Sequence, residues 1–105
     1  MYGWHRSAPR EGGSPENRGL DGRIVHLVLY KFDRCPYCVR VFRALDSLEV
    51  SVAYRDTRTS REHLDELRSL TGSSQVPCLV INGQPLLESA DIVAWLRDNF
   101  PSKRP

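Results

Sequence analysis

Sustained apolarity begins at Ile24. Residues 24–30, Ile-Val-His-Leu-Val-Leu-Tyr, are β-branched, short and nearly continuous in apolar character, which predicts a strand buried on both faces. His26 interrupts the run and reads as a satisfied histidine at a sheet margin. Val39, Phe42, Leu45 and Leu48 then recur at helical spacing with Arg40, Arg43 and Asp46 facing out, predicting a helix over 36–49. Residues 51–55 form a second short strand, set parallel to the first by a right-handed crossover. Thr59 followed by Glu62 is a capping box that opens a second helix. Leu64, Leu67 and Leu70 make its buried stripe, His63 falls on its solvated face, and Gly72 stops it. Residues 78–81 are a third strand, joined to a fourth over 84–87 by the two-residue hairpin signal Asn82-Gly83. Ser89 caps a last helix in which Ile92, Val93, Leu96 and Phe100 point inward, and Pro101 ends it. The order is β-α-β-α-β-β-α, with no internal repeat.

Residues 1–22 break this pattern. They are rich in glycine and arginine and nearly free of aliphatic side chains, a composition that buries too little to offset its ordering entropy. The segment is expected to be a disordered tail, with Tyr2, Trp4 and His5 as its only docking candidates. A single domain over 23–101 and a frayed end over 102–105 complete the expected organisation. A chain of 105 residues with an ordinary apolar fraction supports one modest core, and a monomer is expected.

Charge adds little. The net charge of +2, with both signs interleaved, calls for neither nucleic acid nor a membrane surface as partner. No run reaches transmembrane length, and the start has no apolar core of a signal peptide. Three cysteines, two of them close together, do not make a secreted disulfide framework. A reducing cytoplasm is the expected location, and there a Cys-x-x-Cys pair is catalytic or metal-binding.

The pair is Cys35-Pro36-Tyr37-Cys38, at the joint between the first strand and the first helix. The first cysteine of such a joint meets the unpaired N–H groups and positive dipole end of the helix. These favour a thiolate, the reactive form of the side chain. Pro36 suits the first helical position because its missing N–H would have had no partner. Cys38 lies one turn on, within reach of a mixed disulfide formed on Cys35. The stretch reads as a dithiol redox site.

Cys-Pro-Tyr-Cys after the first strand, Val76-Pro77 before the third and Glu88-Ser89 before the last helix, in this element order, resemble the glutaredoxins. The resemblance covers about residues 24–100. It implies an α/β thioredoxin-like fold, with a four-stranded mixed sheet flanked by helices and a cis bond at Val76-Pro77. Phe32-Asp33-Arg34 before the first cysteine, Gln75 before Val76, and Glu88-Ser89 followed by Asp91-Ile92 resemble the larger, transferase-like glutaredoxins and the N-terminal domains of glutathione transferases. Those relatives carry a helical C-terminal domain, whereas this chain ends at Pro105, so a pocket for an electrophilic co-substrate is not expected.

The resemblance implies a glutathione-dependent thiol–disulfide oxidoreductase. Cys35 is the expected nucleophile and Cys38 the resolving thiol, with glutathionylated or disulfide-containing proteins as partners. Val76 is expected to offer its backbone to the cysteinyl part of glutathione. Glu88 is expected to meet the γ-glutamyl ammonium, and Ser89 with the helix N-terminus the γ-glutamyl carboxylate. Tyr37 and Pro77 complete the wall. Arg34, Lys31 and Gln75 are candidates for the glycine carboxylate, with Arg34 favoured. Cys78 reads as a buried filler with a minor redox alternative. No metal is expected, since a single Cys-x-x-Cys lacks the ligands for zinc. An iron–sulfur carrier and a non-catalytic glutathione-binding module are the rival readings.

Overall fold

The strand at Ile24–Lys31 (β2, after a short β1 at Glu16–Arg18) is the hinge of the architecture, because it pairs on both of its edges. A computed structural model of the protein describes residues 10–100. The expectations for Tyr2, Trp4, His5 and the frayed end at 102–105 lie outside the described residues. After β2 come α1 (Pro36–Leu48), β3 (Ala53–Asp56), α2 (Arg61–Thr71), β4 (Cys78–Ile81), β5 (Gln84–Leu87) and α3 (Ser89–Asn99). β3 runs parallel to β2 with Val28 opposite Ala53, while β4 and β5 are antiparallel, with Tyr30 opposite Cys78 and Cys78 opposite Leu87. The mixed sheet β3-β2-β4-β5, flanked by helices, is the thioredoxin-like α/β fold that the resemblance implied.

Alternation along the strands sorts the core into two layers. Leu27, Leu29 and Leu79 face α1 and α3, where they meet Cys38, Val41, Leu45, Ile92 and Leu96. Val28, Tyr30, Cys78 and Val80 face the other way, onto Leu67 of α2. The buried face of α1 includes Val41 and Ala44 as well as the predicted Phe42, Leu45 and Leu48, whereas Val39 is only half-buried. Asn82 and Gly83 both have positive φ, 48° and 88°, the conformation of the predicted hairpin turn.

The second helix departs most from its prediction. Ser60, not Thr59, is the N-cap, and its hydroxyl accepts from the His63 N–H. Thr59 instead donates its N–H to Asp56 Oδ1. That moves the helix start by one residue; Leu70 is also 43% exposed, and Leu67 is the buried residue of α2. His63 is half-buried with Nδ1 3.3 Å from the Asp56 carbonyl. With so small an apolar contact, α2 is pinned by polar groups: Tyr30 donates to Glu66 at 2.9 Å, and Arg55 donates to both at 3.0 and 2.8 Å.

The segment expected to be a tail is ordered from Arg10 onward. Gly12 pairs with Tyr54 along the outer edge of β3, and β1 then pairs with the first residues of β2, with Asn17 opposite Val25. The sheet therefore has a fifth, short strand, on the same edge of β2 as β3. Composition misses this because the contacts are backbone and polar. The Leu27 N–H donates to the Pro15 carbonyl, and the Asn17 amide both donates to the Ser51 carbonyl and accepts the Ser51 N–H. Gly13 comes so close that a Cβ there would lie 2.2 Å from the Val52 carbonyl oxygen. This strap pairs with the free edge of β3, a row of backbone groups that otherwise templates association.

Candidate functional site

Two helix N-termini meet at the C-terminal edge of β2, and neither carries a side-chain cap. Cys35 is the N-cap residue of α1, with extended backbone (φ −71°, ψ 120°), Pro36 next, and no acidic residue in the first turn. Glu88 is the N-cap of α3, with φ 75°, and its carboxylate makes no capping bond. This corrects the expectation that Ser89 caps α3: Ser89 is its first helical residue and is buried. The Glu88 carboxylate instead accepts from the Gln75 amide at 3.0 Å. By contrast α2, on the far face of the sheet, is capped by the Ser60 hydroxyl. The unpaired N–H groups are thus kept for the side where the cysteines lie.

Between these termini is a cleft of about 410 Å³ lined by Tyr37, Arg40, Gln75, Val76, Pro77, Glu88, Ser89 and Ala90. Every residue predicted for glutathione binding except Arg34 and Lys31 lines it, and the Val76-Pro77 bond is cis. Tyr37 stands 61% exposed at the rim. Arg34 is exposed and does not line the cleft. Arg40, which the helical pattern assigned only to the outer face, does line it, and its spacing of three from Tyr37 was the signal that could have found it.

The thiols are all free, and they divide sharply. Cys35 retains 6% exposure, whereas Cys38 and Cys78 have none. Burial pushes the Cys38 thiol up to about 12, and its hydrogen bond to Cys35 acts in the same direction. Cys78 is pushed up to about 11 by burial, in the layer that faces α2, away from the Cys35–Cys38 pair. Alkylation of the native protein with iodoacetamide at neutral pH is expected to add one group, on Cys35, and alkylation in denaturant three. A second native adduct on Cys78 would contradict this division.

Lys31 cannot serve the glycine carboxylate. It has no exposed surface, and its ammonium lies 2.7 Å from Asp33 Oδ1 and 3.2 Å from Asp56 Oδ2, beneath the loop that leads into Cys35. Burial by itself would raise the Asp56 carboxyl, but the N–H groups of Thr59 and Arg58, together with Lys31, outweigh it and hold Asp56 below its ordinary value. The Arg58 guanidinium stacks 4.0 Å from the centre of the Phe32 ring, and Arg58 is not among the residues that line the cleft. The Phe32 carbonyl in turn accepts the Cys35 N–H at 3.3 Å. Nothing in the local sequence pairs Arg58 with Phe32; only the adjacency of β2 and β3 does.

Among the described residues no group of three or more His, Cys, Asp or Glu side chains comes together, and no helix is long and apolar enough to cross a membrane. Residues 29–104 match the family described as glutathione S-transferase, N-terminal domain. Among solved structures, the Tau class glutathione S-transferase of mango, Mangifera indica, superposes with a TM-score of 0.60 at 24% identity, over 69% of this chain and 33% of that one. The isozyme E7 glutathione S-transferase of Drosophila melanogaster gives 0.59 at 27% identity, over 69% and 34%. The chain therefore spans about a third of the length of these solved relatives. No curated protein matches the sequence. With its thioredoxin-like sheet and a cleft at the N-termini of α1 and α3, the chain belongs to the glutathione S-transferase N-terminal domain family.

Proposed function

We propose that this domain is a glutathione-dependent thiol–disulfide oxidoreductase in which Cys35 is the nucleophile. The observation that carries the reading is the pair of thiols at the uncapped end of α1: one at the helix N-cap and slightly exposed, the other a turn along, buried and held protonated. Conjugation of glutathione to an electrophile has no use for a second thiol there. Exchange chemistry does.

In the proposed cycle the Cys35 thiolate attacks the glutathionyl sulfur of a mixed disulfide. The new bond joins Cys35 to glutathione, and the substrate leaves as a thiolate that takes a proton from solvent. A second glutathione thiolate attacks the glutathionyl sulfur, releasing glutathione disulfide and restoring the Cys35 thiolate. For protein disulfides Cys35 first attacks one substrate sulfur, forming a Cys35–substrate disulfide and freeing the other sulfur as a thiolate. Cys38 then loses its proton to solvent and attacks Cys35, closing the Cys35–Cys38 bond and breaking the bond to the substrate, which leaves reduced. Two glutathione molecules then reopen it. A reducing compartment such as the cytoplasm would keep glutathione available for both routes.

The strand order supports a specific ligand pose. Along one edge of the sheet stand, in sequence, the end of β3 with Arg58, the end of β2 with Cys35, the start of β4 with Val76, and the end of β5 with Glu88 and Ser89. At about 4.8 Å per strand this row is about 14 Å wide, close to the length of an extended tripeptide with its terminal groups. Glu88 and the N-terminus of α3 would take the γ-glutamyl end, Val76 the cysteinyl backbone, and Arg58 the glycine carboxylate. Gln75, spent on Glu88, would orient that carboxylate toward the ammonium.

The test compares one peptide carrying its cysteine either glutathionylated or cysteinylated. The glutathionyl form should be reduced with a kcat/KM higher by about a hundredfold, and Arg58→Gln should raise its KM by about tenfold with little change in kcat. Equal rates for the two disulfides would count against glutathione as the recognised group.

A further inference from the structure

Arg10 lies before the region that matches the family, residues 29–104, yet it touches both flanks of Cys35–Cys38. On the loop side its backbone N–H donates to Asp33 Oδ1 at 3.4 Å. On the helix side its guanidinium donates to both carboxylate oxygens of Asp46, at 3.0 and 2.6 Å, and stacks 4.6 Å from the centre of the Phe42 ring. It also donates to the Tyr54 hydroxyl of β3 at 2.9 Å. A bidentate ion pair that is also stacked fixes a guanidinium more tightly than an exposed surface pair does.

We propose that Arg10 is a positioning residue for the redox site, binding the 32–34 loop, helix α1 and strand β3 into one body around Cys35. This rests on the reading of Cys35 as the nucleophile. The loop has few other anchors: Phe32 lies under Arg58, and Asp33 meets Lys31. Asp33 is a carboxylate two residues before the nucleophile. Its Oδ1 accepts from the Lys31 ammonium and from the backbone N–H of Arg10. The guanidinium, by tying the strap to α1 and β3, sets where that N–H stands and so where the loop before Cys35 is held.

Amide hydrogen exchange and iodoacetamide kinetics on the full chain test this without relying on glutathione. Arg10→Ala and Asp46→Asn should each speed exchange of the amides over 32–40 by about tenfold while those of α2 and β5 hold steady. Both should slow alkylation of Cys35 by roughly three- to tenfold, and Arg10→Lys should recover part of the loss. Exchange that rises evenly across the chain, or alkylation within twofold of wild type, would overturn the proposal. If the wild-type protein ignores glutathione mixed disulfides while its alkylation still responds to Arg10, the substrate reading fails and the positioning role stands.

Discussion

Serine at position 35 is expected to reduce turnover of a glutathione mixed disulfide by about a thousandfold or more, to the solution background, because the attacking sulfur is gone. Serine at position 38 should leave most of that activity, since glutathione itself can resolve the Cys35 adduct. The same Cys38→Ser variant should lose reduction of intramolecular protein disulfides, where no second glutathione easily reaches the trapped intermediate. A coupled assay that follows glutathione disulfide for both substrates separates the two routes. The pH profile should separate them above about pH 9, where an ordinary thiol such as that of glutathione is largely ionised and the monothiol route levels off. Cys38, pushed up to about 12, keeps gaining thiolate there, and the dithiol route keeps accelerating. Full loss of mixed-disulfide turnover in Cys38→Ser would mean that both thiols are needed even for the small substrate.

The largest expected effect on stability is at Lys31. Lys31→Met keeps the length and burial of the side chain but leaves Asp56, 12% exposed, and Asp33 without their cation. Removing one partner of a buried ion pair costs about 3–5 kcal/mol, through the charge left unpaired. For a domain of this size that is a fall in Tm of roughly 4–8 °C per kcal/mol. Asp56→Asn in the Lys31→Met background should recover part of it, because no buried charge remains at that position. The acid limb of the stability curve follows from the same cluster. Asp56 has a folded value below its unfolded one, so its contribution is complete above about pH 4 and disappears as pH falls through the lower, folded value. In Lys31→Met that acid limb should shallow. Thermal or urea unfolding across pH 2–7 measures both effects, and an unchanged Tm in Lys31→Met would show that the triad contributes nothing net.

Much of the fold was legible because hydrophobic period and turn chemistry agreed. The β2–α1 joint, the Asn82-Gly83 turn and the buried stripe of α3 each follow from local pattern, and each appears where that pattern predicts. The strap was not legible. Its order comes from pairing to β3 and from Arg10 and Asn17 reaching residues more than thirty positions away, which no local composition records. Lys31 misled for a related reason: a lysine at a strand end reads as exposed unless one knows that Asp33 and Asp56 close over it. Of the expected site residues, Gln75, Val76, Glu88 and Ser89, each next to a recognisable motif, line one cleft. The contact of Arg58 with Phe32 was not legible, because it is made across a strand boundary. The role of Glu88 as N-cap also ran against expectation, since Ser is the commoner capping residue and only the positive φ at Glu88 identifies the true boundary. That backbone turns the Glu88 carboxylate away from the helix and leaves the α3 N–H groups open to the cleft.

The direct test of the account is to mix Cys38→Ser with a glutathionylated peptide in the absence of free glutathione and to identify by mass what remains on the protein. The account predicts one glutathionyl group on Cys35, with the peptide released as a free thiol, because in the proposed pose the glutathione half of the disulfide would lie in the cleft lined by Val76. Peptide attached to Cys35 with glutathione released would contradict glutathione recognition at this cleft, and an unmodified Cys35 would contradict the exchange chemistry itself.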